Sequence, residues 1–260
     1  MDEENKQPLL QLKKVTTIVN RHTPNEKQIL KQLDLNVYEG DFITVLGPNG
    51  AGKSTLFNTI AGTLPIDSGQ LLLHGKDITH QSVEKRAQFI ARVFQDPKMG
   101  TAPRMTVAEN LLLATKRGQH RGLKLRGLKA QLPKFKKLTA LMDDGLDERL
   151  QTATENLSGG QRQALSFLMA TIRRPKVLLL DEHTAALDPK TSTQLMYQTN
   201  QRILDEKLTC LMITHHLDDA LKYGNRLIVL DAGKIIFDVR GQEKQALTKE
   251  KLLEFFGNIE

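Results

Sequence analysis

Short apolar runs recur along the chain and predict the strands of a buried sheet. Residues 42–46, 177–180, 208–213 and 227–230 are apolar on both faces, which is typical of parallel strands covered by helices. Residues 33–37 instead alternate apolar and polar side chains, which is typical of an antiparallel sheet with one face in water. The pattern therefore predicts an α/β fold with a mainly parallel sheet and an N-terminal antiparallel β subdomain.

Helix signals separate these strands. A helix is expected from about residue 53 to 61, with Gly62 as its C-terminal cap. Thr106 and Glu109 have the spacing of a capping box that opens another helix. Strand patterns are lacking between about residues 98 and 160, so we expect a mainly helical insertion there. Residues 231–234 predict a hairpin turn, and residues 248–256 predict a terminal helix.

Length and composition fit a globular α/β domain. The chain has 260 residues, of which 39% are hydrophobic and 26% charged. No apolar run approaches the roughly 18–20 residues that cross a bilayer, and residues 1–6 are charged and polar. We therefore expect no secretory signal and a cytoplasmic location. The single cysteine, Cys210, lies in an apolar run and is expected to be a packed core thiol in a reducing compartment.

A complete phosphate-loop motif follows the first buried run and precedes the first predicted helix. Glycines let such a loop wrap closely around phosphates, and the helix N-terminus adds positive potential. We expect Lys53 to contact the β- and γ-phosphates and the Ser54 hydroxyl to bind Mg²⁺. The residues of the motif are Gly47, Pro48, Asn49, Gly50, Ala51, Gly52, Lys53, Ser54 and Thr55.

Two carboxylates end the apolar run 177–180, as the second carboxylate motif of P-loop NTPases does. Asp181 is placed to hold Mg²⁺ through water, and Glu182 is placed to accept a proton from the attacking water. An isolated Asp-Glu pair could simply end a strand. Its position after a matching phosphate loop favours phosphoryl transfer, which needs little more than positioning and charge neutralisation.

With these motifs in place, the chain resembles the ATPase subunits of ABC transporters from about residue 9 to about residue 238. Residues 157–161, Leu-Ser-Gly-Gly-Gln, resemble the family's signature. Gln95, Asp188 and His215 match the glutamine loop, the loop after the second carboxylate and the switch histidine. The resemblance implies the ABC ATPase fold, built on a P-loop NTPase core.

The resemblance also implies a domain plan. The ATP-binding domain would span about residues 9–240, followed by a short tail at 241–260. Within it, a helical subdomain at about 98–161 would interrupt a core lobe at about 9–97 and 162–240.

Roles follow from the resemblance residue by residue. Gln95 would contact Mg²⁺ or the attacking water, and His215 would contact the γ-phosphate. Asp188 would support the opposing site across a head-to-tail dimer. The signature would contact the ATP bound by the second copy, from a helix expected to begin at Gln161. The signature residues assigned to this contact are Ser158, Gly159, Gly160 and Gln161.

Two features depart from the usual family pattern. The segment that normally offers an aromatic ring to adenine has Ile18 or Val19 instead, which predicts weak base selectivity. His183 stands where proline is more common. With His183 and residues 95–101, the chain resembles a bacterial branch of the family that is paired with a lipoprotein receptor and a small permease. For some members of this branch, the resemblance implies tryptophan or tyrosine uptake.

The net charge of +7 is concentrated between Glu109 and Asp143. This interval has nine basic and no acidic residues, so the rest of the chain has a net charge of −2. It has three interpretations: a solvated face, proximity to anionic inner-leaflet lipid or acidic permease loops, or nucleic-acid binding. The lack of interleaved aromatic residues argues against nucleic-acid binding. Liposome sedimentation with and without anionic lipid would distinguish them. The basic residues are Lys116, Arg117, Arg121, Lys124, Arg126, Lys129, Lys134, Lys136 and Lys137.

The sequence therefore predicts an ATP-hydrolysing subunit of a membrane importer, located peripherally on the cytoplasmic face of the membrane. Its cofactors would be ATP and Mg²⁺, and its partners a second copy, a permease and a substrate-binding lipoprotein. The alternative is a soluble ABC ATPase that acts on nucleic acid or ribosomes. A nucleotide-gated module without turnover is a third class, against which the presence of Glu182 and His215 argues.

Overall fold

The computed structural model describes residues 7–119 and 127–257. Its strands are β1 (Leu10–Val19), β2 (Lys27–Val37), β3 (Phe42–Leu46), β4 (Ser68–Leu73), β5 (Lys76–Asp77), β6 (Ile90–Val93), β7 (Val177–Asp181), β8 (Cys210–Ile213), β9 (Arg226–Asp231) and β10 (Lys234–Arg240). Its helices are α1 (Lys53–Ala61), α2 (Val83–Arg86), α3 (Val107–Thr115), α4 (Leu128–Ala140), α5 (Gly159–Thr171), α6 (Pro189–Asp205), α7 (Leu217–Lys222), α8 (Gly241–Gln245) and α9 (Lys249–Gly257).

The chain divides into two compact units. The first consists of Met1–Arg86 and Leu208–Glu260, and the second of Ala87–Lys207. The subdomain boundaries expected from the sequence stay a prediction. In neither described range is any helix long and apolar enough to span a membrane.

The first unit contains an antiparallel sheet in the order β2-β1-β4-β5. Along the second half of β2, Leu33, Leu35 and Val37 are buried while Asp34 and Asn36 are exposed. This alternation confirms the antiparallel N-terminal sheet with one wet face.

A second sheet of the same unit contains β3 between two parallel neighbours, β8 and β9, with β10 antiparallel to β9. Every residue of β3 is buried, as expected for a central strand. The predicted hairpin at 231–234 is confirmed. β8 begins at Cys210, two residues later than predicted, and the Thr209 hydroxyl instead accepts a hydrogen bond from the Gly40 N–H at 3.0 Å.

Arg226, at the start of β9, links the two sheets of the first unit. Its side chain is 3% exposed and donates to both carboxylate oxygens of Asp238 on β10, at 2.7 and 2.6 Å. It also donates to Asp41 at 3.2 Å and to the backbone oxygen of Asn36 on β2 at 2.6 Å. Burial acts to lower the guanidinium pKa, but bonding and attraction by Asp238 and Asp41 raise it above its usual value.

The second unit pairs β6 with β7 in parallel and is otherwise mainly helical, as predicted for the middle of the chain. The capping box before α3 is confirmed: Glu109 N–H donates to the Thr106 hydroxyl at 3.2 Å, and Thr106 N–H donates to the Glu109 carboxylate at 2.8 Å. These bonds satisfy amide groups that the first helical turn leaves without an intrahelical partner.

The C-terminal segment packs against the rest of the first unit. α9 confirms the predicted terminal helix, and its Leu252 is fully buried against Leu46, Ala220 and Val229. Cys210 is also fully buried, and burial raises the pKa of its thiol well above the usual value. It is therefore a packed core thiol, as expected.

Candidate functional site

The phosphate loop is shaped by its glycines. The buried strand β3 ends at Leu46, and Gly47 follows it with φ +152°. A Cβ on Gly47 would collide with the backbone oxygen of Leu230. Gly52 is in the left-handed region at φ +105° and caps the N-terminus of α1. Only glycine meets both requirements without strain. α1 then spans Lys53–Ala61 with Gly62 as its C-cap, as predicted.

Lys53 lies inside the loop that it follows. Its side chain is 8% exposed, and its ammonium donates to the backbone oxygens of Gly47 at 2.6 Å and Pro48 at 3.0 Å. Ser54, in the first turn of α1, is exposed. A buried ammonium at a helix N-terminus creates strong local positive potential, so this arrangement suits a phosphate ligand.

A residue outside the motif also holds the phosphate loop. Gly233, in the β9–β10 hairpin, donates from its N–H to the Ala51 oxygen at 3.0 Å and accepts from Lys31 N–H at 3.0 Å. The sequence predicts the hairpin turn that contains Gly233. No local sequence pattern indicates that this turn contacts the phosphate loop.

Parallel pairing also positions His215. Ile213 of β8 pairs with Val45 of β3, so the carboxyl ends of both strands lie at the same edge of the sheet. His215 and Gly47 each follow these paired residues by two positions. His215 is exposed, and its ring centroid lies 4.1 Å from that of His216, which is also exposed.

The second unit brings Gln95 and Glu182 together. Val93 of β6 pairs with Leu180 of β7, so the residues that leave these strands meet at one edge. The Gln95 side-chain amide donates to a Glu182 carboxylate oxygen at 3.3 Å. Glu182 has φ +45°, a conformation that non-glycine residues adopt uncommonly and that is often found at functional sites.

Asp181 is buried at the end of β7 and bound by Arg92. A terminal guanidinium nitrogen lies 2.5 Å from Asp181 Oδ2, and each side chain is 12% exposed. Arg92 was not predicted as a site residue. The available signal was a charge within the short buried strand β6, directly before the glutamine loop.

His183 is 2% exposed, and its imidazole Nε2 lies 3.4 Å from the Thr199 hydroxyl on α6. Complete burial lowers the pKa of His183 to about 4, so the ring is neutral at physiological pH. The residue that departs from the family pattern is therefore part of the packing beneath the carboxylates.

The signature residues form a helix N-terminus, but not where the sequence predicted. α5 begins at Gly159 rather than at Gln161, because Ser158 is the N-cap of a capping box. Gln161 N–H donates to the Ser158 hydroxyl at 3.2 Å, and Ser158 N–H donates to the Gln161 side-chain oxygen at 3.3 Å. The Gln161 amide also donates to the Asp144 backbone oxygen at 2.9 Å.

Gly160 has a packing role within its own chain. A Cβ at this position would collide with the Thr191 methyl group in the first turn of α6. Asp188 caps that helix by accepting from Thr191 N–H at 3.1 Å, and the bonds from Thr191 lower the pKa of the carboxyl. The signature and the Asp188 loop are thus neighbours in the second unit.

At the proposed adenine end, Ile18 and Val19 are half-buried near the end of β1. Ile18 N–H donates to Asp67 at 2.6 Å, and Asp67 also pairs with Arg21. The two aliphatic side chains offer apolar contact only.

The side chains that the sequence assigns to Mg²⁺ all carry the hard oxygen donors that this ion prefers: the Ser54 hydroxyl in the first unit, and the Gln95 amide oxygen and the Asp181 carboxylate in the second. No group of three His, Cys, Asp or Glu side chains able to hold a metal occurs among the described residues. Mg²⁺ that arrives with nucleotide phosphates needs only one or two carboxylates from the protein, so the chemistry of these residue types fits such an ion.

The basic segment is only partly a charged surface. Arg117 is half-buried and donates to the backbone oxygens of Ala170 at 2.9 Å and Arg173 at 2.7 Å, so it serves the fold. Phe135 is fully buried in the helical part and offers no ring to a nucleic-acid base. Arg121, Lys124 and Arg126 lie outside the described residues. The exposed members are Lys116, Lys129, Lys134, Lys136 and Lys137.

Comparison with known proteins places this geometry in context. The ABC transporter family model matches residues 30–185. A tyrosine transport ATP-binding protein from Clostridioides difficile is 42% identical over 95% of this chain and 98% of its own length. A spermidine/putrescine import ATP-binding protein, PotA, from Aggregatibacter actinomycetemcomitans is 34% identical over 89% of this chain, which spans 58% of that protein.

A solved structure gives the corresponding fold. The ATP-binding cassette MJ0796, in a dimeric post-hydrolysis state bound to ADP and Pi, superposes with a TM-score of 0.74 and 25% identity. The match covers 89% of this chain and 98% of the cassette.

Proposed function

We propose that this chain, which belongs to the ATP-binding subunits of ABC transporters and is an ATPase, drives a membrane importer. The observation that carries the proposal is the complete phosphate loop, with Lys53 buried inside it. The subunit would bind peripherally on the cytoplasmic face of the membrane, against a permease.

In the proposed reaction, Lys53 holds the β- and γ-phosphates and backbone N–H groups of α1 complete the cradle. Ser54, Gln95 and Asp181 would hold Mg²⁺, which neutralises phosphate charge when bound. Glu182 accepts the proton of the attacking water, and its contact with Gln95 supports this role. His215 contacts the γ-phosphate. Gln95, which follows β6, would report nucleotide state to the helical segment that follows.

We further propose a head-to-tail dimer in which each signature completes the site of the other copy. The dimeric state of the similar cassette MJ0796 supports this arrangement. Ser158, Gly159, Gly160 and Gln161 begin α5, whose exposed N-terminus suits the γ-phosphate held by the partner. Asp188 supports the same interface from the start of α6.

For cargo, the proposal is an aromatic amino acid, tyrosine or tryptophan. The 42% identity over nearly the full length of a tyrosine transport protein supports this class more strongly than the 34% identity to PotA supports polyamines. A permease and a substrate-binding lipoprotein would complete the importer, and the exposed lysines would face anionic lipid or acidic permease loops.

Uptake of labelled tyrosine, tryptophan and spermidine by cells with and without this protein tests the cargo. Loss of aromatic amino-acid uptake alone is expected, and selective loss of spermidine uptake would replace the proposal. Co-purification then identifies the membrane partner.

The reaction is tested by Glu182→Gln, which keeps the shape of the side chain but removes the base. We expect ATP binding to persist, turnover to fall by about 10²-fold or more, and an ATP-dependent dimer to accumulate. Turnover near the wild-type rate would show that Glu182 is not the base. His216→Gln is a matched control, since His216 is exposed and has no assigned role.

The alternative, a soluble ABC ATPase acting on nucleic acid, has no support in the described surface. Lys129, Lys134, Lys136 and Lys137 are exposed, but Phe135 between them is buried. An ATPase rate that is unchanged by RNA or DNA is the expected result.

A further inference from the structure

We infer that Arg92 is a positioning residue for nucleotide-bound Mg²⁺, acting through the Asp181 carboxylate; this rests on the proposed role of Asp181. One terminal guanidinium nitrogen lies 2.5 Å from Asp181 Oδ2, at the edge where β6 and β7 end. Both side chains are 12% exposed, so the pair is shielded from water and from screening by salt.

Strand geometry explains why these two residues meet although 89 positions separate them. Arg92 pairs with Leu179 in the parallel register, and Asp181 follows Leu179 by two residues. Side chains two apart on a strand point to the same face, so Arg92 and Asp181 share one face of the sheet. The contact is therefore built into the register of the two strands.

Arg92 is itself held in place. Its guanidinium carbon lies 4.8 Å from the centroid of the Phe94 ring, a cation–π distance. The Phe94 backbone oxygen accepts a hydrogen bond from the Gln163 amide of α5 at 2.9 Å. The strand that leads into Gln95 thus presents a fixed cation to the neighbouring carboxylate.

The chemistry of the pair favours positioning over competition with the metal. A carboxylate has about four lone-pair directions on two oxygens, and the recorded guanidinium contact is to Oδ2. The Arg92 contact at Oδ2 leaves Oδ1 for a water ligand of Mg²⁺ and holds the carboxylate in one orientation. Outer-shell partners of metal ligands typically contribute about 10- to 100-fold to metal affinity.

The test measures metal binding rather than turnover. Mn²⁺ serves as the probe: free Mn²⁺ is counted by electron paramagnetic resonance with the full-length protein and a non-hydrolysable ATP analogue. Arg92→Met is expected to weaken Mn²⁺ binding by about 10- to 100-fold, and Arg92→Lys to recover most of the loss. Because Arg92→Met leaves Asp181 without this partner and could prevent folding, Arg92→Gln, which keeps a donor without charge, is measured beside it.

Two reference variants separate the possible failures. Arg202→Met removes the ion pair between Arg202, in the last turn of α6, and Glu206, and it should leave Mn²⁺ affinity unchanged. Asp181→Asn should weaken Mn²⁺ binding; if it does not, the metal role of Asp181 is wrong and the inference falls with it. If Asp181→Asn weakens binding while Arg92→Gln and Arg92→Met match the wild type or bind Mn²⁺ more tightly, only the role of Arg92 is overturned.

Discussion

At the scale of single residues, the residues proposed for the phosphate end and the base end of the nucleotide site differ in how specialised they are. Lys53 is buried and donates to two backbone oxygens within its loop. Ile18 and Val19 offer only half-buried aliphatic surface. Aliphatic contact depends little on the pattern of donors and acceptors around a purine ring, so the phosphates should dominate affinity.

We therefore expect ATP and GTP to bind with similar affinity. Val19→Tyr, which supplies a ring, should tighten ATP binding by up to about tenfold, since aromatic stacking adds about 0.5–1.5 kcal/mol. Val19→Leu, which adds bulk without a ring, is the control. Isothermal titration with both nucleotides measures the effect, and a large preference of the wild type for ATP would contradict the prediction.

The residue scale also shows what the sequence could and could not predict. The spacing of the phosphate loop was sufficient to predict α1 from Lys53 to Ala61, because the glycines and the helix follow from local geometry. The pairing of Arg92 with Asp181 depends on the register of two strands far apart in the chain. The contact of Gly233 with Ala51 is likewise tertiary, so neither has a local pattern.

At the scale of elements, the start of α5 shows how a cap moves a predicted boundary. The sequence predicted a helix that begins at Gln161, after two glycines, which are poor helix formers. The Ser158–Gln161 capping box instead satisfies the first amide groups and extends the helix back to Gly159. The signature is therefore a helical turn packed against α6, and its two glycines have different surroundings.

Gly160→Ala should lower the free energy of unfolding by about 1–3 kcal/mol, because the added methyl group meets the stiff β-branched side chain of Thr191. Thr191→Ser removes that methyl group and should restore stability to Gly160→Ala. Gly159→Ala is the matched control, since its Cβ would lie 3.6 Å from Leu187, an ordinary contact. Urea unfolding distinguishes these variants, and equal stability of both alanine variants would exclude the packing role.

The C-terminal segment is tied to α7 by a buried cation. Lys244 on α8 is 3% exposed and donates to the backbone oxygens of Leu221, Tyr223 and Gly224 near the end of α7. Burial lowers the pKa of its ammonium to about 8. Lys244 therefore fastens α8 to the C-terminal end of α7.

The lowered pKa predicts a pH dependence of stability. Between pH 8 and the usual lysine value near 10.5, the unfolded chain binds a proton at Lys244 that the folded chain has lost. The free energy of unfolding contributed by this group therefore rises with pH across that window and is constant below it. Lys244→Met should abolish this rise, measured as the difference from wild type in urea unfolding. Lys249→Met, at an exposed lysine of α9, should retain it.

At the scale of the whole molecule, the proposed dimer divides each site between two copies. The phosphate loop and Glu182 would come from one chain and the signature from the other. A chain with a defective phosphate loop can then still contribute an intact signature to its partner.

Mixing Lys53→Ala with Ser158→Arg should therefore restore ATPase activity that neither variant has alone, up to about a quarter of the wild-type rate if dimers form at random. Mixing Lys53→Ala with Glu182→Gln should restore none, because both lesions lie on the same side of each site. Activity in the second mixture, or none in the first, would argue against sites completed in trans.

The buried Arg226 network fixes the distance between the two sheets of the first unit. It fastens β2 of the antiparallel sheet to β10 of the sheet that contains β3. Ile18 and Val19 are in the former sheet, and the phosphate loop leaves the latter, so their separation is fixed. If Ile18 and Val19 contact the base, as proposed, the unit would select nucleotides by the span from base to terminal phosphate. Inorganic tripolyphosphate, which has no base, should compete for the loop alone, and the difference between its affinity and that of ATP gives the contribution of the base end.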